Sequence, residues 1–596
     1  MDTKEIQYPR PRSRLHHAAI LIGGWVPGKV LSSIAMVAER VGFEPTIPFL
    51  TGYRFSRAGP SATRPPLRYV SDVYPNDDDH TAEFHNVFGV RCQHVCFVRL
   101  VLLDGFSGVR CLFEITIPPF LTLQKKRYFS TRTKTFWVVF KERPSRFFYE
   151  DMVTMAKILP FKGVLYNPEK VGDLGNVVAP PYDVISEEQR QALEQLQRQN
   201  IVRLILSQGR PEDNESNNKY VRAATRFEKW QAEGALVRDT VPTMYLTVMD
   251  YVSDGVQHQR QGLIVLVELE DFSRGNIMPH EKTFSATKMD RLKLMEACRT
   301  NFSPIFSVFS DPREGVFGPF RDWVDTVTPD FDFTDTSASR HRLWRVTDSD
   351  MHAEISRKLV DRPLYIADGH HRYETALSYR DAMAVKATQL DKRSGCNYVM
   401  MYLSSMQDPG LIIRPVHRML SRISPDALNG FVGKAEDYFH VDTLAVQGND
   451  YPGIKETLWA KVRAGAGQRS IGVVIKGHPT AYVMAVKEGV MERLFASEIP
   501  AALRRLDVTI VTKLIFQKIL GLYERELDDE NRVLYTSRAE NALQAVSSGK
   551  SPVALIVNPT RLSDVEEVSN ARLIMPRKST YFFPKVLSGL VINKLD

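Results

Sequence analysis

From residue 155 onward, short apolar runs alternate with turn residues, and the apolar positions follow two periods, near 2 and near 3.6. Runs at 243–252, 262–269, 363–367, 398–404, 412–415, 471–475, 481–486 and 553–557 are rich in β-branched and aromatic residues and predict strands. Stretches at 187–198, 221–233, 290–300, 371–384 and 508–520 carry apolar side chains at helical spacing. The first of these is opened by Ser186-Glu187-Glu188-Gln189, a capping box in which serine and glutamine side chains reciprocally satisfy orphan backbone N–H groups. The polar run GRPEDNESNNKY (209–220) predicts a loop, and SDGVQHQRQG (253–262) a connection between two hairpin strands. Helices and strands interleave, so the class is α/β or α+β with mixed sheets. The span from Met155 to Asp596 is 596 − 155 + 1 = 442 residues, more than one hydrophobic core usually serves. We therefore divide it into two subdomains, 155–400 and 401–596.

The first 154 residues have a different texture. No helical or strand period is sustained there, and proline, arginine and aromatic residues scatter without caps. Lys+Arg number 21 against 14 Asp+Glu, a net of +7; the whole chain is +8, which leaves +1 for residues 155–596. Gly42-Phe43-Glu44-Pro45 can be encoded by GGA-TTC-GAA-CC, whose reverse complement resembles the T-loop arm of a transfer-RNA gene. The expectation is an antisense transfer-RNA translation joined to a gene that starts at Met155 or Met152, with no domain in 1–154. Cys92-Gln-His94-Val-Cys96 has no second ligand pair to complete a metal knuckle.

Beyond residue 154 only Cys298 and Cys396 remain, which fits a reducing, cytoplasmic setting without a disulfide framework. No apolar run reaches the roughly 20 residues of a membrane span. A +1 balance lacks the footprint of a dedicated nucleic-acid binder, which points to a small-molecule substrate. Oligomeric state is not legible.

Candidate chemistry concentrates in a few loops. In LYIADGHHRYETAL (364–377) a β-rich run ends at Asp368, Gly369 permits a tight turn, and a helix begins near His371. Backbone N–H groups at such a start attract anions, and His370, His371 and Arg372 add charge-assisted donors suited to phosphate oxygens. Asp368 could cap the helix, hold Mg²⁺ or accept a proton. In PHEKTFSATKMDRL (279–292), His280, Glu281 and Thr283 offer a base, a carboxylate and a hydroxyl in one loop, with Arg291 beyond; the His-Glu pair lacks the second histidine of a zincin. Tyr182 and Asp183 are presented by a proline-stiffened VAPPYDVI, His417 and Arg418 close a strand, and Lys578 and Ser579 lie in the basic, hydroxyl-rich MPRKSTYFFPK. Each is also an ordinary capping or surface pattern; together they place chemistry on loops, where sites usually sit.

These blocks, with AKILPFKG, NIVRLIL, NFSPIF, DPGLIIRPVHRML and LDVTIVTKLI, resemble the DUF1015 family of uncharacterised bacterial and archaeal proteins, from about Met155 to the end. More distantly, Asp-Gly-His-His-Arg after a strand looks like the phosphate motif of the ParB/sulfiredoxin superfamily, whose members bind CTP, ATP or ADP and include kinases acting on free serine. The resemblance implies nucleotide phosphates at Asp368, His371 and Arg372, with Gly369 letting backbone approach. His370 stands where sulfiredoxins have cysteine, which argues against peroxiredoxin repair. Thr512 and Val416 stand where many DUF1015 relatives resemble a histidine and a threonine.

The expected function is a Mg²⁺-assisted phosphotransferase acting on a small hydroxylated, serine-like metabolite, using ATP, ADP, CTP or pyrophosphate. Asp368 or Glu281 would hold the metal or activate the hydroxyl, with His280 beside them, and Lys578 and Arg418 would be additional phosphate clamps. The rival readings are a ParB-like nucleotide-gated regulator, a phosphatase or hydrolase using the same pocket, and a non-enzymatic scaffold. A shared site further requires that the DGHHR and HEKT loops meet in space.

Overall fold

The computed structural model describes residues 156–595 apart from 284, 387–390, 392, 528 and 530, together with five short strands upstream. Of these, Phe97–Leu103, Arg110–Ile117 and Lys134–Val139 pair antiparallel into one sheet, and Thr122–Leu123 pairs with Lys126–Arg127. The chain divides into two units at Thr154/Met155, where the sequence texture changes. The remaining residues of 1–154, including residues 42–45, Cys92 and Cys96, lie outside the described residues.

Residues 155–596 form a mixed α/β unit with helices interleaved among its sheets. Its first part carries a nine-stranded sheet in the order Ile277–Met278, Leu364–Asp368, Ile305–Phe309, Tyr398–Ser405, Val256–Glu268, Met244–Ser253, Arg340–Val346, Phe331–Thr334, with Ile158–Leu159 also on Val256–Glu268. Strand alternation sends neighbouring side chains to opposite faces. Ile264 joins Tyr245, Met400 and Tyr402 in one core, and Leu263, Val265 and Val267 join Leu246, Met401 and Leu403 in another. Tyr398–Ser405 is buried at every position, as a strand covered on both faces must be.

A six-stranded sheet follows, in the order Phe439–Ala445, Thr480–Val486, Ile471–Ile475, Val553–Ile556, His417–Leu420, Val533–Thr536. Its two faces also have separate cores, Val473 and Ile475 on one side and Val474 on the other. The chain then returns to the first part: Tyr581–Phe583 pairs Ile412–Arg414, Ala179 bridges Ser588, Val164 bridges Ile592, and Asn593–Lys594 pairs Thr300–Asn301.

Most expected elements are present with shifted ends, and the shift at the first hairpin has a local physical cause. The 253–262 connection is a two-residue turn, because Asp254 (φ 52°) and Gly255 (φ 77°) take left-handed angles that match the twist of a hairpin. Gln257, Gln259 and their neighbours extend the strand instead, their polar character reflecting an exposed end rather than a loop. The helix expected at 290–300 starts five residues earlier and ends sooner, at Ser285–Cys298, and the 508–520 helix is Asp507–Ile510 continuing into wider π-helical turns over Val511–Ile519.

Candidate functional site

The strand Leu364–Asp368 is buried throughout and delivers Asp368 to the edge of a cavity of about 190 Å³. Gly369 follows at φ +97°, a conformation that L side chains rarely adopt. A Cβ there would also lie 2.8 Å from Arg372 Nε. The turn lets the helix His370–Lys386 begin at once, one residue earlier than expected, with its first N–H groups beside the cavity.

The DGHHR and HEKT loops do meet. His280 N–H donates to His370 Nε2 at 3.2 Å, and the two rings stand edge to face at 4.8 Å. Glu281, Lys282 and residues 368–372 line the same cavity, joined by Tyr182 and Asp183 from the upstream loop and by Lys578 from near the C-terminus. Thr283 bonds Glu374 at 2.7 Å, and Lys288 bonds the same carboxylate oxygen at 2.6 Å, which ties the HEKT loop to the helix.

Charge in the cavity is organised around Asp368. Its Oδ1 is ion-paired to Lys585 and its Oδ2 to Arg372, whose other amino group donates to the Pro304 carbonyl. Burial alone would raise this carboxyl, but Lys585 and Arg372 outweigh burial and hold it down at about 2. Lys585 is correspondingly raised: burial works against its charge, and Asp368 and Asp183 overcome that. The histidines go the other way. Burial lowers His280 and His371, and burial together with His280 lowers His370 well below its ordinary value. His370 accepts at Nε2, so its proton sits on Nδ1. Burial, then Asp183, pushes Tyr182 up to about 12.

These facts revise several expected roles. Asp368 stays ionised and fully engaged, so it is poorly matched to accepting a proton near pH 7, and both its oxygens are taken by cations rather than left for Mg²⁺. Glu281, whose Oε1 is 3.4 Å from the Thr580 hydroxyl, and the exposed Asp183 are the cavity carboxylates with capacity for an ion. His280 is wholly buried behind the wall, and its Nε2 lies 2.9 Å from Thr580 Oγ1. His371, half-buried and neutral, faces the cavity and suits a proton acceptor better than a phosphate clamp.

Other expected residues lie off the cavity. His417 accepts the Val557 N–H at Nδ1 (3.2 Å) and packs edge-on against Trp459, because strand alternation turns it into the core. Arg418 is buried too, its guanidinium donating to the carbonyls of Val416 and Lys578. Arg291 stacks 4.2 Å over Tyr182 and donates to the Ile205 carbonyl, bracing the upstream loop. Ser579 bonds the Pro576 carbonyl. Of the two departures from the family pattern, Val416 lies on the cavity wall, whereas Thr512 bonds the Val508 carbonyl of its own helix at 2.8 Å.

Lys585, Thr580 and Tyr581, which were not singled out as site residues, are all on the cavity wall. They stand in the MPRKSTYFFPK block beside Lys578 and Ser579; its basic, hydroxyl-rich character marks the block without saying which members turn inward. Among the described residues, no group of three or more His, Cys, Asp or Glu is arranged to hold a metal ion, and no helix is long and apolar enough to cross a membrane.

The class is thus an α/β protein with a polar cavity at a strand–glycine–helix turn, walled by lysine, arginine and carboxylate side chains from four segments. The chain belongs to the family described as "Protein of unknown function (DUF1015)", whose profile matches residues 158–509 and ends before the MPRKSTYFFPK block. No curated protein matches it. Among solved structures it is similar to a conserved hypothetical protein from Pyrococcus furiosus (11% identity, 54% of this chain and 92% of that chain, TM-score 0.27). It is also similar to a free serine kinase in complex with AMP (12%, 54% and 91%, TM-score 0.27) and to C-terminally truncated SbnI from Staphylococcus aureus (11%, 55% and 85%, TM-score 0.26).

Proposed function

We propose that this cavity binds the phosphates of a nucleotide (ATP, ADP or CTP) or pyrophosphate, and that the protein is a phosphotransferase acting on a small hydroxylated metabolite, with a serine-like amino acid as the leading candidate. The observation that carries the reading is the convergence of Arg372, Lys578, Lys585 and the first residues of a helix on one small cavity. Phosphoryl transfer asks chiefly for positioning and charge stabilisation, which such a set supplies. The cavity has a volume of about 190 Å³. That volume suits a phosphate chain or a three-carbon metabolite and leaves a nucleoside at the open rim.

Lys578 and Arg372 grip phosphate oxygens, and Asp368 keeps Arg372 and Lys585 in place. His371 takes the proton of the attacking hydroxyl. Glu281 would hold Mg²⁺, which when bound neutralises phosphate charge. In this reading residues 155–400 form the nucleotide-binding subdomain, 401–596 lend loops to it, and the setting is cytoplasmic.

The test is a thermal-shift panel on the full chain with ATP, ADP, CTP and pyrophosphate, with and without Mg²⁺, repeated on Arg372→Ala and Lys578→Ala. A ligand at 100 times its dissociation constant stabilises by roughly 2.7 kcal/mol. The expected result is a shift with one of these compounds that either substitution abolishes. Lys578 is exposed, so its substitution spares the fold. No shift with any compound would overturn the reading.

A further inference from the structure

Two arginines in this fold are buried without a carboxylate partner among the described residues. Arg260, on the nine-stranded sheet, is wholly buried; its Nη1 donates to the Pro584 carbonyl at 2.7 Å, its Nε to the Tyr402 hydroxyl at 3.2 Å, and its Nη2 has no partner. The guanidinium lies 4.8 Å from the Phe306 ring and 5.3 Å from that of Tyr402, in space that Gly262 keeps open, because a Cβ there would collide with Tyr402. Arg418, on the six-stranded sheet, donates to the carbonyls of Val416 and Lys578, the latter at 3.1 Å. Burying a charge without a counter-charge is costly, and an apolar side chain of equal volume would pack each site at least as well. What an apolar side chain could not do is hold a carbonyl.

Both arginines hold carbonyls of one segment, 576–585, at its two cavity lysines. Arg418 takes the carbonyl of Lys578 itself, and Arg260 takes that of Pro584, directly before Lys585. Lys578 sits at φ +52°, a left-handed angle that costs a non-glycine residue energy and persists only when its surroundings enforce it. Between the two anchors Phe582 is buried against Phe306 and His280, and Tyr581–Phe583 pairs with Ile412–Arg414. The segment is thus fixed from both sheets while Lys578 and Lys585 face the cavity.

We infer that 576–585 is the anion-gripping wall of the cavity, that Lys578 and Lys585 both contact the ligand, and that Arg260 and Arg418 are positioning residues that set the wall's backbone. The inference rests on the phosphate reading above and adds to it Lys585 as a ligand-contacting residue and the two buried arginines that place the lysines. Lys585 passes from Asp368 to a shared contact with ligand oxygen when an anion enters.

The experiment uses the full chain, with inorganic pyrophosphate as the probe in calorimetry and hydrogen exchange on the 578–585 amides. Arg260→Met and Arg418→Met replace each guanidinium by an apolar side chain of similar length, so the thermal midpoint holds within a few degrees. The dissociation constant rises tenfold or more in each, and the segment's amides exchange faster. Lys585→Met and Lys578→Met weaken binding comparably without faster exchange of the segment's amides. Should a methionine variant fail to fold, Arg418→Lys and Arg260→Lys serve instead: charge is kept, the two-pronged donor is lost, and binding still weakens. Normal wild-type binding with unchanged affinity in the arginine variants, or in Lys585→Met, overturns this inference alone. If the wild type binds a nucleotide but not pyrophosphate, that nucleotide becomes the probe; absence of binding to pyrophosphate, ATP, ADP and CTP alike overturns the phosphate reading, and unchanged exchange in the arginine variants overturns their positioning role as well.

Discussion

Replacing Asp368 by asparagine tests the electrostatic centre of the cavity. The carboxylate is buried and ion-paired on both oxygens, to Lys585 and to Arg372. Its displacement from 3.8 to about 2 corresponds to roughly 2 kcal/mol of folding stability, at about 1.4 kcal/mol per unit. Because the folded carboxyl binds its proton more weakly than the unfolded one, this contribution is fully present above about pH 4 and is lost as pH falls through about 2. Asp368→Asn also strands two buried cations, and losing one partner of a buried pair costs about 3–5 kcal/mol. Urea unfolding at pH 6 should show the variant less stable by about 3 kcal/mol. At pH 3 the wild-type advantage should shrink by about 1 kcal/mol, since a group of this kind has then lost roughly half its contribution. A difference under 1 kcal/mol at pH 6, or one that does not change between the two pH values, would refute the view that these ion pairs hold the turn together.

Gly369→Ala should cost about 1–3 kcal/mol and push Arg372 off Asp368, because the added Cβ lies 2.8 Å from Arg372 Nε at φ +97°; thermal unfolding reads the first effect and pyrophosphate affinity the second. His417 is held neutral by burial, down to about 3, so its ring should not titrate between pH 8 and 5 in an NMR titration. The stability it lends is fully present above the unfolded value of 6.5 and lost as pH falls toward about 3, because the unfolded ring takes up the proton first. A ring midpoint near 6.5 would contradict that.

The sequence by itself determined the mixed α/β class, the change of character at residue 155, the capping box at Ser186 and Gln189, and the strand–glycine–helix turn at 364–386. All of these are local. Period, caps and turn residues act over a few positions, and the chain obeys them wherever packing agrees. Local reading also picked out the DGHHR and HEKT loops, because titratable residues crowded onto turns are unusual for scaffold. Partners across the fold were decided by tertiary structure alone. Lys585 reaches Asp368 over 217 residues, His417 and Arg418 turn into the core rather than the cavity, and polar Gln257 and Gln259 sit in a strand because its end is exposed. A residue's type fixes which interactions it can make; its neighbours in space, which no local period encodes, fix which of them it does make. That is why Arg372 and Arg418, alike as phosphate clamps in the sequence, part in the fold, one lining the cavity and the other holding up its wall.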